Sequence, residues 1–303
     1  MKNNIVETIS LTKKFKHQTA VNAINMHVPQ GAIYGFIGRN GAGKSTALKM
    51  ICGLVKPTSG EIRLFNDPDF DLAYRSIGAL IENVGAYPEL SAKENMLLKA
   101  TGLGLNNKEE IESLLILSGL SPKDKKPVKQ FSLGMKQRLG IALALLGNPD
   151  LLILDEPING LDPEGIREIR NTILKLNEEK GMTFIISSHI LSELDKVATH
   201  YGIIKDGELI EEITQKELAE KCKSFLAMRV NDLKKTTFIL EEKLGIKDYE
   251  IKEDGELHIF TQNDSQMINT ELMKQNIQIS QIYYQKQDLE SYFLNKVGGQ
   301  DHA

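Results

Sequence analysis

The sequence is short of several things, and each shortage removes a class of protein. It has two cysteines in 303 residues, Cys52 and Cys222. They lie far apart and in no metal-ligand spacing, so neither a disulfide framework nor a structural zinc site is expected, and they read as reduced thiols of a cytosolic protein. Neither sign of charge dominates: the formal net charge is −4 and the pI about 6.0. A large basic surface for nucleic acid is therefore not expected. Long apolar runs are also missing. The most apolar region, 141–154, is broken by Asn148-Pro149-Asp150, and no stretch approaches the roughly 18 uncharged apolar residues of a membrane span. The first fifteen residues mix Lys, Glu and Asn among apolar ones and do not read as a signal peptide. There is no internal repeat and no low-complexity tract. What remains is an ordinary globular composition, long enough for about two domains.

Against this plain background one stretch stands out, Gly38–Thr46, reading Gly-Arg-Asn-Gly-Ala-Gly-Lys-Ser-Thr. It fits the G-x-x-x-x-G-K-[ST] phosphate loop, with Gly38, Gly43, Lys44 and Ser45 in register. Gly41 and Gly43 let the backbone turn tightly and approach an anion with no Cβ in the way. The loop amides and the helix start that follows then face the phosphates. Lys44 brings a positive charge to the β- and γ-phosphates, and the Ser45 hydroxyl is placed for Mg²⁺. The apolar run 32–37 reads as a buried strand before the loop, and 47–51 as a helix after it. A nucleoside triphosphate is the expected ligand.

Upstream, 5–11 and 20–28 alternate apolar and polar residues, as strands of a half-exposed antiparallel sheet do. Between them lies Lys13-Lys14-Phe15-Lys16. A lone Phe is usually core, but one among three lysines reads as a surface ring on which a base could stack. Downstream, 60–64 reads as a short strand and Arg75–Glu82 as an apolar one. The pattern then turns helical: Ser91-Ala-Lys-Glu94 is a capping box, and a second helix opens at Asn106-Asn107 and stops at Gly119. These helices read as a small lobe inserted into an α/β core. A further helix begins at Phe131-Ser132-Leu133-Gly134-Met135 and runs to Gly147; its free amides near Ser132 and Gly134 form a weak anion-site signal.

The strand 150–154 ends in Asp155-Glu156-Pro157. Two acids at the end of a buried strand are costly, and after a phosphate loop the reason is Mg²⁺ for the first and the attacking water for the second. Asp162-Pro163 caps a helix running to Gly181. The strand 183–187 delivers Ser188-His189 at its end, where open parallel sheets place ligands, although a lone His there is as often structural. Two further strands, 201–205 and 208–213, form a hairpin through Asp206-Gly207.

Taken in order, Gly38–Thr46, Phe131–Met135, Leu151–Glu156, Asn159-Gly-Leu-Asp162 and His189 resemble the phosphate loop, signature, Walker B strand, D-loop and switch histidine of an ATP-binding cassette subunit. The resemblance covers about residues 3–220. It implies an α/β P-loop ATP-binding cassette, with a RecA-like core, an antiparallel β subdomain and an inserted helical lobe at about 85–145. It also implies a head-to-tail homodimer of cassettes with two ATP molecules between them. On that resemblance Phe15 stacks the adenine, and Gly38, Arg39, Asn40, Gly41, Ala42, Gly43, Lys44, Ser45 and Thr46 hold the phosphates. Ser45 and Asp155 hold Mg²⁺, Glu156 is the general base, His189 contacts the γ-phosphate, and Ser132 and Gly134 reach ATP from the other subunit. Asn159 and Asp162 fall in the D-loop at the dimer contact. Two departures stand out. The usual Leu-Ser-Gly-Gly-Gln signature is Phe-Ser-Leu-Gly-Met here, keeping the Ser and the second Gly. The coupling loop normally carries Gln where this chain has Glu82, a third residue placed near Mg²⁺, and its surroundings resemble the bacitracin-resistance and lantibiotic-immunity type of exporter subunit.

The resemblance thus implies an ATPase at the cytoplasmic face of a membrane, peripheral to it, working with separately encoded membrane-spanning permease subunits and with no nucleic acid. The alternative is a soluble cassette ATPase acting on ribosomes or DNA. By family resemblance the ribosome type carries two cassettes in one chain and the DNA type a long coiled coil before the signature. This sequence has one phosphate loop, and the stretch between Lys44 and Ser132 has room for a small lobe only. Residues 221–303 read as a separate small α+β domain. Strand 225–230, helix 232–244, a hairpin of 249–253 and 256–260, helix 265–275 and strand 277–284 give a β-α-β-β-α-β order, which suggests a ferredoxin-like arrangement. A last helix, 288–297, is stopped by Gly298. This part shows no catalytic constellation and reads as a packing or dimerisation module or as a regulatory sensor.

Overall fold

A computed structural model describes residues 3–65, 70–105, 107–222, 224–260, 265–285 and 289–297. The expected helix start at Asn106, and the Asp288 and Gly298 boundaries of the last helix, lie outside the described residues. The chain divides into two compact units, Met1–Gln215 and Lys216–Ala303.

Three strands of the first unit are buried at every position: Ile33–Ile37, Leu151–Asp155 and Thr183–Ser188. Continuous apolar runs of this kind suit a sheet covered on both faces. They lie in a six-stranded sheet in the order Glu208–Thr214, His200–Lys205, Ile33–Ile37, Thr183–Ser188, Leu151–Asp155, Ile77–Leu80. All neighbours are parallel except the Glu208–Thr214 edge. The helices Lys44–Ile51 and Pro163–Lys180 follow two of the strands. The second starts at Asp162, whose carboxylate accepts from the Gly165 amide, and ends at Gly181 in the left-handed conformation. Leu48, Met50 and Ile51 of the first helix share a core with Phe36, Leu151, Ile153 and Ile185. Each such side chain contributes about 1.5–3 kcal/mol on burial.

A second sheet is antiparallel, with Asn4–Phe15 at its centre between Gln18–Ile24 and the pair His27–Pro29 and Ser59–Leu64. The first strand runs further than its alternation suggests, because Lys14 and Phe15 pair with Thr19 and Gln18 across a tight turn. The expected strand Arg75–Glu82 is shorter. Arg75 ends a helix, Phe70–Arg75, and only Ile77–Leu80 pairs, with Leu151–Leu154. The Ser76 carbonyl accepts from the Asp150 and Leu151 amides, and Glu82 turns to φ 59, so the ladder has no room at either end. Three helices form the helical part: Ala92–Gly102 with its Ser91–Glu94 capping box, Lys108–Leu117 capped by Asn107, and Leu133–Leu145 capped by Ser132.

The second unit is an antiparallel sheet in the order Tyr249–Ile251, Leu257–Ile259, Phe225–Val230, Ile279–Gln285. Helices Leu233–Glu242 and Ser265–Lys274 connect strands in a β-α-β-β-α-β order. Leu226, Met228, Leu257 and Ile259, at alternate positions of their strands, pack with Ile239, Leu240, Ile268 and Leu272 of the two helices. Helices Gln215–Lys221 and Leu289–Val297 stand before and after this arrangement.

Candidate nucleotide site

The phosphate loop leaves the end of the fully buried strand Ile33–Ile37. Gly43 has φ 107, and a Cβ there would lie 2.4 Å from the Ala20 carbonyl oxygen, so no side chain fits. Gly41 has φ 81, and a Cβ on it would meet nothing within 4 Å, so its backbone is open on the outer side. Arg39, Asn40 and Gly41 are exposed, Ala42 is buried, and Ser45 and Thr46 are half-buried in the first helical turn. The helix Lys44–Ile51 has no side-chain cap and no acid in its first turn. Its first amides are therefore left to an anion, which the helix dipole also favours.

Lys44 is only 6% exposed. Its Nζ donates to the carbonyls of Gly38 at 2.7 Å and Arg39 at 3.3 Å and lies 3.6 Å from Glu156 Oε1. A buried ammonium is tolerated only with such partners. The acids come from the strand Leu151–Asp155 and the residue after it. Asp155 is buried at the strand end and sits in register with Ser187. The Ser187 hydroxyl donates to Asp155 Oδ1 at 2.5 Å. The charge of Asp155 is also felt by Cys52, whose thiol is pushed up to about 12, chiefly by burial and then by that carboxylate.

Glu156 follows with φ 51, a left-handed conformation costing a non-glycine residue roughly 1–2 kcal/mol. Such strain persists where the surroundings fix it. Here the Glu156 amide donates both to the Ser187 carbonyl (3.2 Å) and to the Ser187 hydroxyl (3.0 Å). The side chain then bridges two other motifs. Oε2 meets His189 Nδ1 at 2.6 Å and accepts from the His189 amide at 3.3 Å. With the carboxylate ionised, Nδ1 carries the proton of that contact. Oε1 is buried, faces Lys44, and has no hydrogen-bond partner among the described residues.

The expected residues thus fall into two groups. Lys44, Asp155, Glu156 and His189 are joined by direct contacts or through Ser187. Among the described residues, no hydrogen bond or ion pair ties Ser132, Gly134, Asn159 or Asp162 side chains to that group. The Ser132 hydroxyl accepts from the Met135 amide at 3.2 Å, capping its own helix, and Asp162 caps the next. The Asn159 amide donates to the Glu156 carbonyl at 3.2 Å. Leu133 of the signature packs against Gly160 so closely that a Cβ there would lie 2.7 Å from Leu133 Cδ2. Signature and D-loop therefore form one surface. Glu82 stands apart: its Oε1 meets Lys49 Nζ at 2.5 Å in an exposed ion pair, so its contact here is a lysine and not the Asp155 cluster. Phe15 is 49% exposed, with Lys13 Nζ 5.1 Å from its ring centre; it is a surface ring, not core.

Ser187 is a site residue that the sequence reading passes over. A signal for it exists: a hydroxyl inside an apolar, fully buried strand must find a partner, and it lies two residues before His189.

Sequence comparison places this geometry among known proteins. A family model described as "ABC transporter" matches residues 21–159. The bacitracin transport ATP-binding protein BcrA of Bacillus licheniformis is 43% identical over 301 residues, covering 98% of each chain. The lantibiotic transport ATP-binding protein SrtF of Streptococcus pyogenes is 50% identical over 204 residues, 67% of this chain and 88% of that one. Among solved structures, a dimeric post-hydrolysis ATP-binding cassette bound to ADP and Pi superimposes with a TM-score of 0.63 and 28% identity, covering 69% of this chain and 98% of that chain.

Proposed function

This chain belongs to the ABC transporter family as an ATP-hydrolysing, ATP-binding subunit, and from that premise we propose that it powers the export of a peptide antibiotic through separately encoded membrane-spanning subunits. The cargo is supported by the names of the bacitracin and lantibiotic transport relatives at 43% and 50% identity. The same names favour transport over work on ribosomes or DNA. The chain would sit at the cytoplasmic face of the membrane, held there by those subunits; among the described residues no helix is long and apolar enough to cross a bilayer.

The observation that carries the chemistry is Glu156 Oε1, a buried acceptor without a hydrogen bond, aimed toward Lys44. An unsatisfied buried carboxylate oxygen is costly, and a water in front of the phosphates would satisfy it. Lys44 and the loop amides of 38–46 hold the triphosphate, and Phe15 offers its exposed face to the adenine. Glu156 takes the proton of the attacking water at Oε1 while His189, pinned through Nδ1, keeps the carboxylate turned and presents its other nitrogen to the γ-phosphate. The hydroxyl of Ser45 and the carboxylate of Asp155 are hard oxygen donors of the kind Mg²⁺ takes beside substrate phosphates; when bound, the ion neutralises charge on the phosphate oxygens. Glu82, paired with Lys49 through Oε1, would be a third oxygen donor near that ion. Ser132 and Gly134 meet the ATP of a second copy, with Asn159 and Asp162 at the contact between copies. For Lys216–Ala303 a packing or dimerisation role fits best.

The test is Glu156→Gln in the full chain. ATP binding should persist while hydrolysis falls by ~10²–10⁴, the usual cost of losing a general base. Turnover at the wild-type rate would remove Glu156 from this role. Co-purification with the membrane subunits, followed by ATPase assays with peptide antibiotics of different classes, tests the cargo.

A further inference from the structure

We propose that Ser187 is the positioning residue of this site, the joint through which the two acids are held as one unit. The inference rests on the reading of Asp155 as a metal ligand and Glu156 as the base. Ser187 is completely buried. Register in the parallel sheet places it beside Asp155, one strand away from the acids it serves. A hydroxyl has one proton to give and two lone pairs to offer. The proton goes to Asp155 Oδ1 at 2.5 Å, and a lone pair takes the Glu156 amide at 3.0 Å.

Each bond does separate work. The bond to Oδ1 is charge-assisted; it fixes the rotation of the Asp155 carboxylate and leaves its other oxygen free to meet an ion. The bond from the Glu156 amide adds to the one that amide makes to the Ser187 carbonyl at 3.2 Å, and is the shorter of the two that secure a residue held at φ 51. In an extended conformation the Glu156 side chain would leave the face where it now meets His189 Nδ1 and Lys44 Nζ. The Ser187 hydroxyl bonds to neither of those two residues, so it acts on the chemistry only through Asp155 and Glu156. It also makes the metal ligand and the base neighbours through one atom: rotation of Asp155 pulls on the group that anchors the Glu156 backbone. The neighbouring Ser188 has different work, its hydroxyl accepting from the Ile190 amide at 3.0 Å.

The experiment compares wild type, Ser187→Ala and Ser187→Thr as full chains. Two readouts are taken: steady-state ATPase kinetics, and hydrogen exchange at the Glu156 amide in the protein without nucleotide. Loss of a hydrogen bond to a charged group predicts a fall in kcat of about tenfold to a hundredfold for Ser187→Ala, with ATP affinity falling by less, because the Ser187 hydroxyl bonds to Asp155 and the Glu156 amide and to no residue of the phosphate loop. Exchange at Glu156 should quicken in Ser187→Ala and slow again in Ser187→Thr, which restores the hydroxyl. Glu156 exchange in Ser187→Ala as slow as in wild type overturns the inference, whatever happens to the rate. A fall in kcat without faster exchange overturns it too. Glu156→Gln run alongside separates the two ideas: unchanged hydrolysis there sinks the assignment of the base, while the exchange data judge Ser187 independently.

Discussion

The two compact units handle charge in opposite ways. In Met1–Gln215, Lys44 and Asp155 are taken inside, at 6% and 7% exposure, the first at the start of the helix that follows one parallel strand and the second at the end of another. In Lys216–Ala303 most of the pairs among the described residues lie at the surface, Arg229 with Asp254, Lys252 with Glu250 and Lys243 with Glu271, the exception being the largely covered Glu256–His258 pair. The difference follows from topology. Parallel strands all end on one side, so their last residues and the following helix starts converge on one spot. An antiparallel sheet sends successive ends to opposite sides and makes no such focus. Burying a charge costs several kcal/mol unless it is paired and hydrogen-bonded, and the first unit carries that cost where its phosphate loop meets its acids. Exposed pairs of the second unit are each worth about 0–1 kcal/mol. Charges placed inside point to a ligand; charges placed outside point to solubility.

The comparison breaks most sharply at Lys44. Lys44→Ala removes one partner of a buried charged set, a change that costs about 3–5 kcal/mol, and ATP affinity should fall by at least ~10²-fold. Arg229→Ala in the second unit should leave ATP affinity unchanged and alter stability by less than about 1 kcal/mol, because its ion pairs are near the surface and screened. Titration with ATP and thermal melts of both variants check this. Equal effects from the two substitutions would erase the distinction drawn between the units.

A smaller effect is expected at the border of the site. Glu82 and Lys49 form an exposed pair, of the kind found in the second unit, yet the family resemblance gives Glu82 the coupling-loop position of the first. Glu82→Gln should shift stability by less than about 1 kcal/mol and leave ATP affinity intact. If Glu82 leaves Lys49 for the metal during turnover, the variant needs severalfold more Mg²⁺ for half-maximal hydrolysis, since an amide oxygen is a weaker ligand than a carboxylate. Superimposable rate curves against Mg²⁺, with and without the membrane subunits, would return Glu82 to the class of surface pairs.

The parts of this fold legible in the sequence are those governed by local rules. Phosphate loop, the Ser91–Glu94 capping box, the Asp162-Pro163 start and the Asp206-Gly207 hairpin each depend on neighbours a few residues apart, and the structure has them. Phe15 is recognisable as a surface ring from the lysines around it. The misses depend on distant partners. Arg75 reads as strand because nothing nearby announces that pairing with Leu151–Leu154 spans only four residues. The Lys49 contact of Glu82 cannot be read from the sequence because Lys49 is on another element. Ser187 stays hidden for the same reason: its two partners, Asp155 and the Glu156 amide, are reached across a strand pairing that no local pattern reveals.

The smallest expected effect tests the division itself. Every residue assigned to the nucleotide lies before Gln215. The core around Leu48, Phe36 and Ile153 draws its buried members from 5–204, whereas the core of the second unit draws its own from 226–277. Two cores built from non-overlapping stretches are the condition for independent folding. A chain ending at Gln215 should therefore stay soluble and bind ATP within about twofold of the full chain, the scatter expected when distant parts contribute additively. Hydrolysis by the isolated chain should be similarly preserved, while any loss should appear in assembly with the membrane subunits, where a packing or dimerisation module would act. The measurements are ATP titration, ATPase rate and sedimentation of both lengths. A shortened chain that is soluble and folded but binds ATP more than tenfold more weakly would mean that Lys216–Ala303 contributes to the site. The contrast between a unit that commits charge to a ligand and one that keeps it at the surface would then no longer describe two separate jobs.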